Sequence, residues 1–334
     1  MNKDILTKTV SHLLLPSKGI LAIDENLNTC NKRFEKLDIP ATVEKRREYR
    51  ELLITAPEIE KYISGYILFD ETIRQNTKDN KSFISVLQSK GIEIGIKVDK
   101  GVEEFSPDSS EKITEGLDGL SDRLREYKNM GATFAKWRAI YNIGENIPSP
   151  KCIKANANIF AQYAHICQRQ DIVPIIEPEI LIDGDYTVEK CYEITAKNLD
   201  IIFSELQNAD IFIPGIILKT NMIISGKEAT VQASAEKVAE MTIKCLKEHV
   251  PNNIGGIVFL SGGQSDEKAT LNLNAMHQIA DLPWPLTFSY GRAIQNKALR
   301  SWAQNSKDTV IIQKLLLESA KINSLASVGK YQSK

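Results

Sequence analysis

The sequence predicts an α/β fold of one domain, a closed barrel of eight parallel strands with helices packed around it. Three observations predict it. Short apolar runs rich in β-branched residues recur eight times, roughly 30 to 45 residues apart, with helix-periodic segments between them. These runs are apolar on both faces, as parallel strands covered by helices must be, instead of alternating as half-exposed strands do. No Gly-, Ser- or Pro-rich linker interrupts the series along the 334 residues, so nothing divides the chain in two. An open doubly wound sheet would call for a glycine fingerprint after the first strand, and Asp24-Glu25-Asn26-Leu27 stands there instead. A single-domain (β/α)8 TIM barrel over residues 1–334 is therefore expected.

Behind an N-terminal helical extension, Gly19 to Asp24 reads as the first strand, ending on a carboxylate. A helical segment from Val43 to about Ala56 stops at Pro57. Tyr62 to Phe69 is the second strand and closes on Asp70-Glu71, and Ile92 to Val98 is the third. Leu117 to Met130 is helical and stopped by Gly131. The fourth strand begins with Ala132 to Trp137, carrying Lys136 and Arg138, and a long helix follows Pro150 to about Gln168. Asp171 to Glu179 is the fifth strand, Thr187 to Gln207 a helix, and Ile211 to Thr220 the sixth strand. Glu236 to His249 is helical, and Ile254 to Leu260 is the seventh strand, running into Ser261-Gly262-Gly263-Gln264-Ser265. Asp266 to Ile279 is helical, Leu286 to Tyr290 is the eighth strand, and helices near 298–302 and 310–325 close the chain.

Composition narrows the function. With 42% hydrophobic and 25% charged residues the chain is an ordinary globular one that can bury a sizeable core. A net charge of −1 leaves no basic field for nucleic acid or an anionic membrane, so neither is expected as a partner. Its densest basic run, Lys45-Arg46-Arg47, is flanked by Glu44, Glu48 and Glu51 and reads as a solvated helix face. Five cysteines without a C-x-x-C pair argue against zinc, redox or disulfide roles and fit a reducing, cytoplasmic setting. The four histidines are dispersed, which disfavours a metal site. Met1 to Lys18 offers only Leu13-Leu14-Leu15 before Pro16, too short for a secretory leader, and no run reaches the length of a membrane span.

Chemistry gathers at the strand ends. In a closed barrel the C-terminal ends converge on one face, and here seven of them carry Asp24, Lys97, Lys136, Arg138, Glu177, Glu179, Lys219, Ser261 and Arg292. Period-two alternation sends Lys136 with Arg138, and Glu177 with Glu179, to the same side of the strand. Lys219 closes an apolar run, where an ammonium is costly unless paired or held neutral. Inner-layer ion pairs would explain any one pair, but so many buried charges without a charged ligand would be poor for stability. Three lysines and two arginines in one mouth imply an anionic substrate. The Gly262-Gly263 loop after strand seven, at a helix N-terminus, with Arg292 arriving from strand eight, is where barrels hold phosphate.

Read together, these blocks resemble the class I, Schiff-base fructose-bisphosphate aldolases. The likeness rests on Gly19 to Glu25, Gly95 to Gly101, Phe134 to Arg138, Val173 to Glu179, Ile217 to Lys219, Phe259 to Ser265 and Phe288 to Arg292, in that order, between about Ser17 and Tyr331. It implies reversible cleavage of fructose 1,6-bisphosphate to dihydroxyacetone phosphate and glyceraldehyde 3-phosphate, with no metal and no cofactor. It also implies Lys219 as the Schiff-base nucleophile and Glu177 as the acid that removes the carbinolamine hydroxyl. Glu179 and Lys136 would tune the charge of Glu177 and the proton route, and Asp24 would be the base for the C4 hydroxyl. Ser261, Gly262, Ser289, Gly291 and Arg292 would hold the 1-phosphate, and Lys97 with Arg138 the distal one. A cytoplasmic homo-oligomer, tetrameric by resemblance, is implied too, and sedoheptulose 1,7-bisphosphate is a related candidate substrate. A noncatalytic interaction protein on this scaffold, or metal-dependent aldolase chemistry, would be the alternatives.

Three departures from the family pattern stand out. Thr220 follows Lys219 where proline is common, and Asn26 stands where many relatives have serine. The chain stops at Gly329-Lys330-Tyr331-Gln332-Ser333-Lys334, without the family's long tail ending in a tyrosine that exchanges the enamine proton. Slow enamine protonation, or protonation by another group, is the corresponding expectation.

Overall fold

A computed structural model describes residues 1–107, 109–279 and 282–332. Its strands are β1 (Gly19–Ala22), β2 (Ile63–Leu68), β3 (Glu93–Lys97), β4 (Gly101–Glu104), β5 (Lys112–Glu115), β6 (Phe134–Tyr141), β7 (Val173–Ile180), β8 (Ile217–Thr220), β9 (Gly256–Phe259) and β10 (Leu286–Tyr290). Eight of them close in the order β1-β2-β3-β6-β7-β8-β9-β10, and β10 pairs back onto β1. Every pairing in this ring is parallel. The expected (β/α)8 barrel is thus the observed fold. β4 and β5 form a separate antiparallel hairpin after the third barrel strand.

The helices are α1 (Lys3–Leu13), α2 (Leu27–Glu35), α3 (Val43–Thr55), α4 (Asp70–Ile73), α5 (Phe83–Ser89), α6 (Leu120–Met130), α7 (Pro150–Arg169), α8 (Val188–Asn208), α9 (Ala235–His249), α10 (Asp266–Met276), α11 (Arg292–Gln304) and α12 (Thr309–Ala326). Their starts are written in the sequence. Thr42, Ser149, Thr187, Ser234 and Ser265 each accept the backbone N–H three residues on, satisfying a donor that the helix itself leaves free.

Two cores result from period-two alternation. Outward residues such as Trp137, Ile176, Leu218 and Phe259 pack beneath the helices. Inward residues Ile20, Ile67, Phe134, Val173, Ile175, Ile217 and Val258 fill the lower barrel, where α1 plugs the floor with Leu6, Val10, Leu13 and Leu14. Glycine makes that filling fit: a Cβ on Gly95 would overlap the Phe134 ring, and one on Gly256 would overlap Leu14. With the floor packed shut, only the upper face is left open for chemistry.

The structure corrects the sixth strand. Ile213–Gly215 is a 3-10 turn and β8 starts only at Ile217, because Pro214 has no N–H for a ladder. α2, α5 and the β4–β5 hairpin were not expected, and the fourth barrel strand runs on to Tyr141.

Burial pushes His277, at the end of α10, down to about 4. In the unfolded chain it titrates near 6.5, so below that pH the unfolded state takes up a proton that the fold refuses. The His277 contribution to stability is complete above pH 6.5 and is lost as pH drops toward 4, by about 3 kcal/mol in all. His277→Gln should flatten this acid-side loss in urea unfolding at pH 7 and pH 4.5, and an unchanged slope would contradict it.

Candidate active site

β6, β7 and β8 deliver the central side chains. On β6 the inward set is Phe134, Lys136 and Arg138, and on β7 it is Val173, Ile175, Glu177 and Glu179, so each strand turns from apolar to charged as it climbs. Register sets Arg138 beside Glu177 and Lys97 beside Lys136. The β7–β8 ladder ends at Ile176 with Leu218, one residue below Glu177 and Lys219. Beyond it the Asn221 amide takes over, accepting from the Ile180 N–H at 3.1 Å.

Four side chains meet at the bottom of the open face. Lys219 Nζ lies 3.0 Å from Glu177 Oε1. Lys136 Nζ lies 3.0 Å from Glu177 Oε2 and 2.9 Å from Asp24 Oδ2, so one ammonium spans both carboxylates. Lys219, Lys136 and Glu177 are each under 5% exposed, which keeps these charges out of water and makes their pairing decisive. Burial alone would raise the Asp24 carboxyl, but Lys136 and then Lys219 overcome it and hold it at about 2. Glu177 is lowered by the same balance, burial opposed by Lys136, Lys219 and Arg138. Lys136 is raised: desolvation works against its charge, and Asp24 and Glu177 more than offset it.

Higher up, Arg138 Nε donates to Glu179 Oε2 at 2.5 Å. The β4–β5 hairpin steadies this level, since the Thr114 hydroxyl donates to Arg138 O at 2.9 Å. Lys97 is held back onto Asp99, donating to its carboxylate and, at 2.9 Å, to its carbonyl.

All twelve residues singled out from the sequence line one cleft of ≈530 Å³: Asp24, Lys97, Lys136, Arg138, Glu177, Glu179, Lys219, Ser261, Gly262, Ser289, Gly291 and Arg292. Gly262 and Gly263 take positive φ values of 55° and 84°, which an L side chain rarely adopts. α10 starts at Asp266, as expected, with Ser265 as its cap, but neither residue lines the cleft, whereas Gly291 at the head of α11 does. Ser289 Oγ is buried at the cleft and has no partner among the described residues.

A whole wall was missed. α2 adds Thr29, Lys32, Arg33 and Lys36, with Asn26 capping the helix by accepting from Thr29 N at 2.8 Å. The i, i+4 spacing of Lys32 and Lys36 on a helix opening after the first strand was the available signal. Thr220 is buried, its hydroxyl without a partner among the described residues, and it lies outside the lining. Tyr331 also lies outside it, its N–H donating to Asn274 Oδ1 at 2.9 Å, and Ser333 and Lys334 fall outside the described residues.

The family model for class-I fructose-bisphosphate aldolase matches residues 5–334. The chain belongs to the class I fructose-bisphosphate aldolase family. It is 51% identical, over 99% of its own length and 100% of the relative's, to a probable class 1 aldolase of Xanthomonas campestris pv. campestris. It is 43% identical to the cytoplasmic aldolase isozyme of Spinacia oleracea, over 98% of this chain and 92% of that one. Fructose-bisphosphate aldolase from Plasmodium falciparum, solved in complex with TRAP and a small-molecule inhibitor, superposes with a TM-score of 0.97. The identity there is 41%, covering 99% of this chain and 96% of that one. As in any aldolase of the family, the activity is that of a carbon–carbon lyase on a sugar phosphate. Among the described residues no group of three or more His, Cys, Asp and Glu is placed to hold a metal, and no helix is long and apolar enough to cross a membrane.

Proposed function

We propose that this aldolase cleaves fructose 1,6-bisphosphate reversibly through a Schiff base on Lys219. The observation that carries this is the buried set at the bottom of the cleft, Lys219 against Glu177 and Glu177 tied through Lys136 to Asp24. The Lys219 amine attacks the C2 carbonyl to give a carbinolamine. Glu177, charged at rest, takes the proton that frees the Lys219 amine 3.0 Å away and returns it to the C2 hydroxyl, which leaves as water as the iminium forms. Asp24 takes the C4 hydroxyl proton, the C3–C4 bond breaks, and its electron pair moves into the iminium as an enamine while the aldehyde departs. Protonation at C3 and hydrolysis then release dihydroxyacetone phosphate and free Lys219. Lys136 keeps Asp24 in its basic, charged form, and Glu179 with Arg138 sets the field above Glu177.

Phosphate sites fit the two ends of the cleft. Ser261, Gly262, Ser289, Gly291 and Arg292 would hold the 1-phosphate, and Arg292 has no carboxylate partner among the described residues. For the distal phosphate, Lys97 and Arg138 already carry internal partners, so we assign Lys32 and Lys36 beside them, neither of which is ion-paired among the described residues. A second cleft of ≈460 Å³ shares Asn26 and Lys97 with the first, which favours sedoheptulose 1,7-bisphosphate as a longer substrate. The named spinach relative and five free, buried cysteines support a cytoplasmic setting, and a homo-oligomer remains the family expectation.

The purified chain should release glyceraldehyde 3-phosphate from fructose 1,6-bisphosphate at a rate unchanged by EDTA. Loss of turnover on chelation would overturn the Schiff-base assignment. Arg292→Ala should raise KM roughly 10- to 100-fold with a smaller change in kcat, as expected when a charge-assisted contact to a remote phosphate is removed.

A further inference from the structure

We propose that Gln295 is a positioning residue for Asp24, standing in for the strand ladder where β1 leaves the barrel. The proposal rests on the reading of Asp24 as the base.

β1 pairs with β10 only as far as Leu21 with Tyr290. At Gly291 the chain turns off into α11, so on that side no ladder donor reaches the Ala22 carbonyl, two residues before Asp24. Gln295, one turn into α11, supplies it: Nε2 donates to Ala22 O at 2.6 Å. On the other side the strand is still paired, Ile23 N donating to Ile67 O at 3.0 Å. Gly291 is part of the device, because a Cβ there would stand 3.2 Å from Ala22 O and 3.7 Å from Gln295 Nε2, in the space the amide reaches through.

Gln295 is fully buried and every hydrogen-bonding direction of its amide is used. Nε2 also donates to Glu25 Oε1 at 3.2 Å, and Oε1 accepts from Tyr49 OH and from Arg33 Nη1, both at 3.0 Å. Glu25 is itself fixed by Arg33 and, at 3.0 Å, by Arg50. Asp24 is thus flanked by an anchored carbonyl before it and an anchored carboxylate after it, and its own carboxylate is delivered 2.9 Å from Lys136. A buried amide with four partners holds one orientation, which a loop exposed to water would not. The same helical turn begins with Arg292, so the anchor of the Asp24 segment and the proposed phosphate contact sit on one helix.

The step that needs Asp24 is C3–C4 cleavage, whereas imine formation between Lys219 and dihydroxyacetone phosphate has no C4 hydroxyl to deprotonate. Gln295→Met should therefore lower kcat for cleavage of fructose 1,6-bisphosphate roughly 10- to 100-fold, the cost of small misplacements in a reacting geometry. KM, and the rate of borohydride trapping of dihydroxyacetone phosphate, should stay within about threefold of wild type, since a positioned base does not enter either. Tyr49→Phe, which frees one side of the amide and keeps Gln295, should lower the same kcat several-fold and serves where Gln295→Met does not fold. Asp24→Asn is run beside them. If Asp24→Asn abolishes cleavage while kcat per folded site in the Gln295 and Tyr49 variants stays at the wild-type value, or trapping falls in step with cleavage, Gln295 is not a positioning residue. If Asp24→Asn cleaves normally, the base assignment itself fails.

Discussion

Lys219→Met should lower cleavage of fructose 1,6-bisphosphate by roughly 10⁵-fold or more, the order of loss seen when a covalent nucleophile is removed. Its thermal unfolding should change little. Lys219 touches one carboxylate, and that carboxylate, Glu177, keeps Lys136 at 3.0 Å when Lys219 is gone. Met fills a similar volume, so the variant loses chemistry and keeps its core. Steady-state cleavage assays and thermal unfolding monitored together check this. Residual activity within a hundredfold of wild type would mean that the carbon–carbon bond is broken without Lys219.

Lys136→Met should do the reverse in proportion, costing both activity and about 3–5 kcal/mol of stability, because it strips the shared partner from two buried carboxylates. The pH dependence gives the sign. In the wild type the charged Asp24 contributes stability that is complete above its ordinary value of 3.8 and is lost only as pH falls toward about 2. Without Lys136, burial is the dominant influence on Asp24 and Glu177 and favours their protonated forms. The deficit should therefore shrink as pH is lowered from about 8 to 5, read as the difference in urea midpoints between the two proteins. A deficit that is absent, or that grows on acidification, would show that Lys136 does not hold this pair of carboxylates.

How much of this was legible in the sequence depended on whether chemistry rode on a regular element. Lys136 with Arg138 and Glu177 with Glu179 were placed correctly because an eight-residue strand buried on both faces leaves alternation as the only freedom. Lys219 stood out at the end of an apolar run, but its assignment came from the companion strand ends and the family resemblance, and the run itself is broken: Ile211 and Ile213 are buried by packing around a 3-10 turn, and apolar character alone does not distinguish this from strand. The α2 wall was missed because only Cys30 and Phe34 of its nine residues are buried, too few to show a helical stripe. The β4–β5 hairpin was missed for a like reason, since three of the four β4 residues are exposed and give no buried face to read. Gln295 carries no sequence signal at all. Its importance comes from a gap in the β1–β10 ladder, and a side-chain hydrogen bond that fills such a gap across 273 residues is visible only once the barrel has closed.

In the proposed reaction Lys219 becomes covalently bound to the substrate ketone. Borohydride reduction of the wild-type chain in the presence of dihydroxyacetone phosphate, followed by peptide mapping, tests it most directly. A single stable adduct on Lys219, absent from Lys219→Met, is the expected result. An adduct on Lys136 or Lys97 instead, or no adduct while cleavage proceeds, would contradict it.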